Sequence, residues 1–432
     1  MKLSGWGRCP VVEAEMLAPD TLEAMRRRLT ISSPVIARGL GRSYGDSALG
    51  PTVLSALRLD RLLAFDPVSG ELECEAGVSL DTVLRVFVAR GWFLPVTPGT
   101  SFVTVGGAVA SDVHGKNHHG AGSFSAHVLG LKMLLGNGEV LDCDNTLHAD
   151  LFRATCGGMG LTGIILAVRL RLVRIPSAWM RTTTLKATSL GDALDLFEAR
   201  RDATYSVAWI DCLAHGRHLG RSLLMLGEHD AKGELADTPD HARSVPVDFP
   251  AGLLNHYSVT AFNTLYYHRQ LRREAQGRSH FRPYFYPLDG LRDWNRLYGK
   301  PGFLQYQCVL PAQSGREGMK LLLATIAQSG EGSFLAVLKT FGPGNDNPLS
   351  FPMAGPTLAL DFRNTPKVRE LLERLDAIVL DHGGRLYLTK DARMSAATFK
   401  RSYPRWEEVA EVRARYHAER IASLQSRRLE IS

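Results

Sequence analysis

Cysteine is sparse in this sequence, with six in 432 residues. Cys9, Cys74, Cys143, Cys156, Cys212 and Cys308 form no Cys-x-x-Cys and no paired spacing. That argues against a disulfide framework or a zinc site, and fits a reducing compartment. Also missing is any uninterrupted apolar run long enough to cross a bilayer, and Met1-Lys-Leu-Ser-Gly-Trp-Gly7 carries no apolar signal-type core. The expectation is a chain that works in the cytoplasm or peripherally on a membrane. Nor is the charge strongly one-signed: 51 Lys and Arg face 44 Asp and Glu, for a net +7. The basic spots Arg26-Arg-Arg28 and Arg269-Gln-Leu-Arg-Arg273 lack interleaved aromatics, so nucleic acid is not an expected partner. The second spot has an alternative reading as a contact for anionic lipid headgroups.

Glycine is what the sequence has, in clusters. Thr104-Val-Gly-Gly-Ala-Val-Ala-Ser-Asp-Val-His-Gly-Lys-Asn-His118 has too few side chains over Gly106, Gly107, Ala108 and Ala110 to be a packing element. Its bare backbone suits close approach by a large ligand and an anion nest. An upstream cradle, Ala37-Arg-Gly-Leu-Gly-Arg-Ser-Tyr-Gly-Asp46, follows an apolar run that reads as a strand, and two such loops suggest one extended phosphate-bearing ligand. The third cluster, Gly157 to Gly163, contains Gly-x-Gly-x-x-Gly, but a dinucleotide fingerprint needs a helix after it. Here Val168, Leu170 and Leu172 alternate with Arg169 and Arg171, which is the period of a strand.

Length and 45% hydrophobic content predict a large core divided into two or three domains. Short strands and amphipathic helices alternate up to about residue 176, including a helix capped by Ser79 and ended by Gly91. Beyond that the rhythm is helix then strand: Ser189 to Arg201 before Tyr205 to Asp211, and Arg316 to Gln328 before Ser333 to Phe341. A helix opened by Thr365-Pro366 precedes a strand over Arg385 to Lys390. Glu228 to Val247 and Tyr267 to Arg282 are poorly patterned and read as lids or mobile loops. Pro404 to Arg428 reads as one charged amphipathic helix.

The motifs Arg38-Gly-Leu-Gly-Arg42, Ser43-Tyr-Gly-Asp46, Pro98-Gly-Thr100, Thr104-Val-Gly-Gly107, His114-Gly-Lys-Asn-His-His119 and Gly160-Leu-Thr-Gly163 resemble the FAD-binding half of the vanillyl-alcohol-oxidase type flavoproteins. The similarity continues through Tyr286-Pro-Leu-Asp289, Gly302-Phe-Leu-Gln-Tyr-Gln307, Phe341-Gly-Pro-Gly-Asn345 and Gly384-Arg-Leu-Tyr-Leu-Thr-Lys-Asp391, in the manner of the decaprenylphosphoryl-ribose 2'-oxidase branch. The resemblance implies an α+β, two-domain FAD-binding oxidase fold, in which the FAD domain has two α/β subdomains and the substrate domain an antiparallel sheet covered by helices. Residues 1–176, completed by 386–432, would form the FAD domain and 177–385 the substrate domain. It further implies oxidation of a secondary sugar hydroxyl, on a phosphorylated or polyprenyl-phosphate-linked sugar, giving a 2-keto sugar for epimerisation with a short-chain dehydrogenase partner.

Carried over onto this sequence, the cofactor set is Ala37, Arg38, Gly39, Leu40, Gly41, Arg42, Ser43, Tyr44, Gly45, Asp46, Ser47, Gly99, Thr104, Val105, Gly106, Gly107, Ser111, Asp112, Val113, His114, Ile164 and Tyr387. His114, Lys116, Gln305, Gln307, Lys339, Phe341 and Lys390 form the substrate set, with Lys390 and Tyr44 as catalytic groups. A lysine facing an apolar flavin pocket has its pKa lowered into a useful range, and Lys339 would hold a phosphate as a point charge. His114, His118 and His119 are metal-ligand types, but no carboxylate or cysteine completes a site, so no metal is expected. Two departures from the resemblance matter. Arg42 stands where many relatives attach FAD through histidine, so the FAD is expected to be non-covalent. Ala359 and Thr357 stand where the mycobacterial branch has cysteine and asparagine. Other readings are an oxidase of free sugars, alditols or aldonolactones, and a flavin-binding carrier without turnover.

Overall fold

The computed structural model describes residues 1–31, 34–237, 242–250 and 252–431. Three sheets organise it. The first is parallel, in the order Glu15–Leu17, Thr52–Ser55, Val35–Arg38, and its last strand delivers the chain directly into the Arg38 to Asp46 loop. The second is antiparallel, in the order Val140–Cys143, Val128–Leu134, Ile164–Arg171, Glu71–Glu75, Leu62–Phe65. In Ile164–Arg171, Val168 and Leu170 are buried while Arg169 and Arg171 are exposed, as the alternation requires. The glycines of Gly157 to Gly163 therefore follow the helix Ala149–Thr155 and precede a strand, the reverse of a dinucleotide fingerprint.

The third sheet is antiparallel and runs Glu274–His280, Trp179–Ala187, Ser222–His229, Tyr205–Ile210, Ala336–Phe341, Gly355–Arg363, Phe303–Val309, Arg385–Leu386. The helices Leu190–Ala199, Ala312–Ser329 and Pro366–Asp381 pack along it. Their buried stripes repeat at helical spacing: Met319, Leu322, Leu323 and Ile326 on one, Val368, Leu371, Leu372, Leu375 and Val379 on another. Each fully buried leucine contributes about 1.5–3 kcal/mol. The starts are set locally, since Ser79, Ser189 and Thr365 accept from the amides of Thr82, Asp192 and Val368. One buried apolar cluster reaches from Leu3 to Ile431 and joins the second and third sheets.

Four elements differ from the sequence expectation. Tyr267 to Arg282 is not a loop: the helix His256–His268 ends there, and Glu274–His280 is the sheet's edge strand, paired with Trp179–Ala187. Its charges hide the strand pattern and blunt an open edge. Glu228 to Val247 begins inside the strand Ser222–His229 and includes the short strand Arg243–Ser244, while its residues 238–241 lie outside the described residues. The strand expected over Arg385 to Lys390 spans only Arg385–Leu386. Tyr387 still donates its amide to Gln307, and the chain then turns so that the amides of Lys390 and Asp391 return to the Tyr387 carbonyl. The terminal helix is interrupted. Trp406–Arg415 stops before His417, whose φ is 56°, Ile421 bridges in parallel to Val35, and Ser423 caps a second helix, Leu424–Arg428.

Candidate active site

A cavity of about 1060 Å³ runs between the glycine loops and the third sheet. At one end its wall is mostly backbone. Among the described residues, the amides of Leu40, Gly41, Arg42 and Ser43 find no protein acceptor. Gly41 has a φ of +64°, and a Cβ there would run into the Arg38 guanidinium, which is braced on the Ser4 carbonyl at 2.7 Å. That position needs glycine for both reasons. Thr104 caps the short helix Val105–Ala110 through the Gly107 amide at 3.1 Å, and a Cβ at Gly107 would meet only the Thr104 hydroxyl before entering the cavity. Gly99 opens onto the same space, with nothing within 4 Å of where a Cβ would stand. The Arg42 guanidinium lies 4.1 Å from the Trp6 ring, with its buried Nε unpartnered. Free amides, open glycines and an arginine with spare donors fit the diphosphate and ring system of FAD.

At the other end the wall is made of side chains. Lys116, Lys339 and Lys390 all line the cavity. Burial brings Lys116 and Lys339 down to about 7, with the charge of Lys339 adding to the effect on Lys116 and that of Lys390 to the effect on Lys339. Lys390 lies over the Tyr44 ring at 4.1 Å. Burial lowers its pKa, and the Asp361 carboxylate opposes that; burial in turn raises Asp361 above the usual carboxylate range. Asp361 accepts from Gln305 Nε2 at 2.5 Å, and its second oxygen has no partner. Gln307 donates to Nε2 of His114 at 3.0 Å. Burial holds His114 well below its ordinary range, so it is neutral with its proton on Nδ1, an atom that also lacks a partner. Burial and the Asp361 charge raise the Tyr44 phenol, which stays protonated. Tyr387 donates to the Ser111 carbonyl at 2.9 Å and ties the segment after the strand Arg385–Leu386 to the cradle.

The cavity collects most of the expected residues: Ala37, Arg38, Gly39, Leu40, Gly41, Arg42, Ser43, Tyr44, Ser47, Gly99, Thr104, Gly106, Gly107, Ser111, Val113, His114, Lys116, Gln305, Gln307, Lys339, Tyr387 and Lys390. Six do not reach it. Gly45 packs its backbone against Asp391 and Ala392, and Asp46 is held by Arg428 at 2.7 Å. Val105 and Ile164 are core residues, with Ile165 taking the lining place expected of Ile164. Asp112 accepts from Ser123, Ser350 and Asn345 and supports the cradle from behind. Phe341 packs behind His114, edge to face, at 4.7 Å. Lys116 lines the wall but spends two donors on the Tyr284 and Phe285 carbonyls, at 2.8 and 3.0 Å. Sequence reasoning does not single out Asp361, although it does name Gln305 and Gln307, which lie on the strand that pairs with it. Nor does it find Trp209, Met225, Phe262, Tyr266, Phe334 and Leu335, an apolar wall whose members look like ordinary core in sequence. Among the described residues no group of three His, Cys, Asp or Glu is placed to hold a metal ion.

The site thus defines an FAD-dependent oxidoreductase, and comparison with known proteins agrees. Residues 16–144 match the FAD binding domain family. Decaprenylphosphoryl-beta-D-ribose oxidase of Mycolicibacterium smegmatis is 38% identical over the whole of this chain and 97% of its own length. D-2-hydroxyglutarate dehydrogenase of Danio rerio is 31% identical over 34% of this chain and 29% of its own, and L-gulonolactone oxidase of Bos taurus 28% over 45% of each. The chain belongs to the vanillyl-alcohol-oxidase type FAD oxidoreductases, in the decaprenylphosphoryl-β-D-ribose oxidase family, and its cofactor is FAD.

Proposed function

We propose that the protein oxidises a secondary hydroxyl of a sugar joined through phosphate to a polyprenyl chain, yielding a 2-keto sugar that a partner reductase of short-chain dehydrogenase type completes to the epimer. The observation that carries this reading is that one cavity brings together the free amides of the glycine loops, Lys339 and Lys390, and the apolar side chains of Met225, Phe262, Tyr266, Phe334, Leu335 and Val337. A sugar joined through phosphate to a hydrocarbon tail calls for that combination of groups. Bound FAD supplies the hydride acceptor. Lys390 in its neutral form takes the hydroxyl proton with the Tyr44 ring against it, Gln305 fixes the Asp361 carboxylate that acts on it, and Lys339 faces the phosphate as a point charge. His114, neutral and fixed by Gln307, offers Nδ1–H to a sugar oxygen.

Residues 1–176 with 386–432 serve as the FAD unit and 177–385 as the substrate unit. The bridge from Ile421 to Val35, and the packing of Trp406–Arg415 on Ala149–Thr155, support this division. The FAD is non-covalent, in keeping with Arg42. Ala359, which lines the cavity opposite Gln307, leaves more room there than a cysteine would. Anaerobic mixing with polyprenyl-phosphate ribose, free ribose, alditols and aldonolactones tests the substrate. Bleaching of the flavin by the lipid-linked sugar alone is expected. Bleaching by a free alditol or lactone, and not by the lipid-linked sugar, would overturn the reading.

A further inference from the structure

Exposed large apolar side chains are not spread evenly over this molecule. Val247, Leu253, Tyr257, Phe262, Leu265 and Leu271 crowd into one stretch, and Tyr257, Leu265 and Leu271 are 83%, 74% and 90% exposed. Tyr257 and Leu265 share the outer stripe of the helix His256–His268, whose other side buries Val259, Asn263 and Tyr267. Leu271 follows in the turn before the edge strand Glu274–His280. Such a cluster on an element of its own marks an interaction surface.

Charge indicates what meets it. From Phe249 to Arg273 the sequence has no Asp or Glu, and the run ends in Arg269, Arg272 and Arg273. Among the described residues none of these three forms an ion pair. Arg269 instead lies over the Tyr266 ring at 3.7 Å. An apolar stripe flanked by arginines without carboxylate partners is complementary to an anionic bilayer surface, where side chains enter the acyl boundary and guanidiniums meet phosphates. The position is also significant. Phe262, Tyr266 and Arg269, on the same helix and its end, line the cavity that holds the lysines.

We infer that the helix His256–His268 and the turn through Arg273 dock the enzyme on an anionic phospholipid membrane with the cavity mouth facing the bilayer. The purpose of this surface rests on the lipid-linked substrate proposed above; its affinity for lipid does not. A lipid-linked sugar then passes into the cavity from the bilayer without its tail crossing water.

Flotation of the FAD-loaded full chain with vesicles of phosphatidylcholine, with and without phosphatidylglycerol, tests the surface in the absence of substrate. The expected result is binding to the anionic vesicles only, weakened by salt. The double variants Leu265→Asp with Leu271→Asp, and Arg272→Glu with Arg273→Glu, should each lose at least about tenfold in vesicle affinity. Both should keep normal flavin content and reduce normally with detergent-dispersed substrate. Wild type that stays unbound, or variants that bind like wild type, would overturn the inference. So would an apolar-to-Asp variant whose only change is a dimer becoming a monomer in sedimentation, since the face would then join two copies. Vesicle binding without oxidation of any lipid-linked sugar would keep the surface and remove the substrate reading.

Discussion

The two ends of the cavity are built on opposite principles. The glycine end comes from contiguous loops, and its binding groups are main-chain amides exposed by missing side chains. The lysine end draws Lys116, Gln305, Lys339 and Lys390 from separate parts of the chain, with the buried Asp361 acting on Lys390, all brought together by sheet register and the turn after Leu386. A backbone site depends on space and tolerates neighbours that keep it open. A side-chain site depends on charge balance in a desolvated pocket, where a single group changes the protonation of the others. Substitutions at the first end should therefore remove the cofactor, and substitutions at the second should leave it bound and change the chemistry.

The largest expected effect is at the glycine end. Gly107→Val puts a branched side chain into space that meets only the Thr104 hydroxyl in the present fold, so the protein should fold and fail to retain FAD. Purification without flavin, alongside a wild-type-like far-UV spectrum, is the expected outcome. Full flavin stoichiometry would show that FAD does not lie against this helix. Acid precipitation of wild type should leave all FAD in the supernatant, as a dissociable cofactor requires.

Lys390→Ala is the matching test at the other end. It should keep FAD and lose about 10²–10⁴ in the rate of substrate-dependent flavin reduction, the usual contribution of a positioned proton acceptor. Lys390→Arg should not restore it, because a guanidinium stays protonated and has a different shape. Stopped-flow reduction without oxygen measures both. A variant within about threefold of wild type would move the proton acceptor to another group and end the division of labour drawn above.

The contrast between the ends also explains what can be read from the sequence. Glycine loops announce themselves because a missing side chain is visible as a composition, and the caps at Ser79 and Thr365 because they depend on neighbours three residues away. The helix Pro366–Asp381 is legible from its apolar period. Edge strand Glu274–His280 is not, because four of its seven residues are exposed and its pairing is set by Trp179–Ala187, far upstream. Lys390 is found through its motif, yet its partner Asp361 is not. The Asp361 carboxylate lies where its charge acts on Lys390 through the register in which Gly355–Arg363 pairs with Phe303–Val309. No local pattern distinguishes a buried aspartate of this kind from an exposed one on the same strand.

Asp361 provides the smallest and sharpest test. Its carboxylate favours the ammonium form of Lys390, while burial favours the neutral amine. Proton acceptance requires the neutral amine, so flavin reduction should rise with pH through the Lys390 ionisation. Asp361→Asn keeps an oxygen to accept from Gln305 and removes the negative charge. With nothing opposing desolvation, Lys390 gives up its proton more readily, and the rising limb moves to lower pH. Above the limb the rate should stay within about threefold of wild type, because the reacting groups are unchanged. The measurement is the pH profile of single-turnover reduction for wild type, Asp361→Asn and Lys390→Ala, the last of which should lack the limb. A limb that stays in place in Asp361→Asn would mean that the two groups do not act on each other, and one that moves to higher pH would assign the ionisation to a group other than Lys390. Either result would replace a charge-coupled site by a set of independent side chains, and the two ends of the cavity would then differ in position more than in kind.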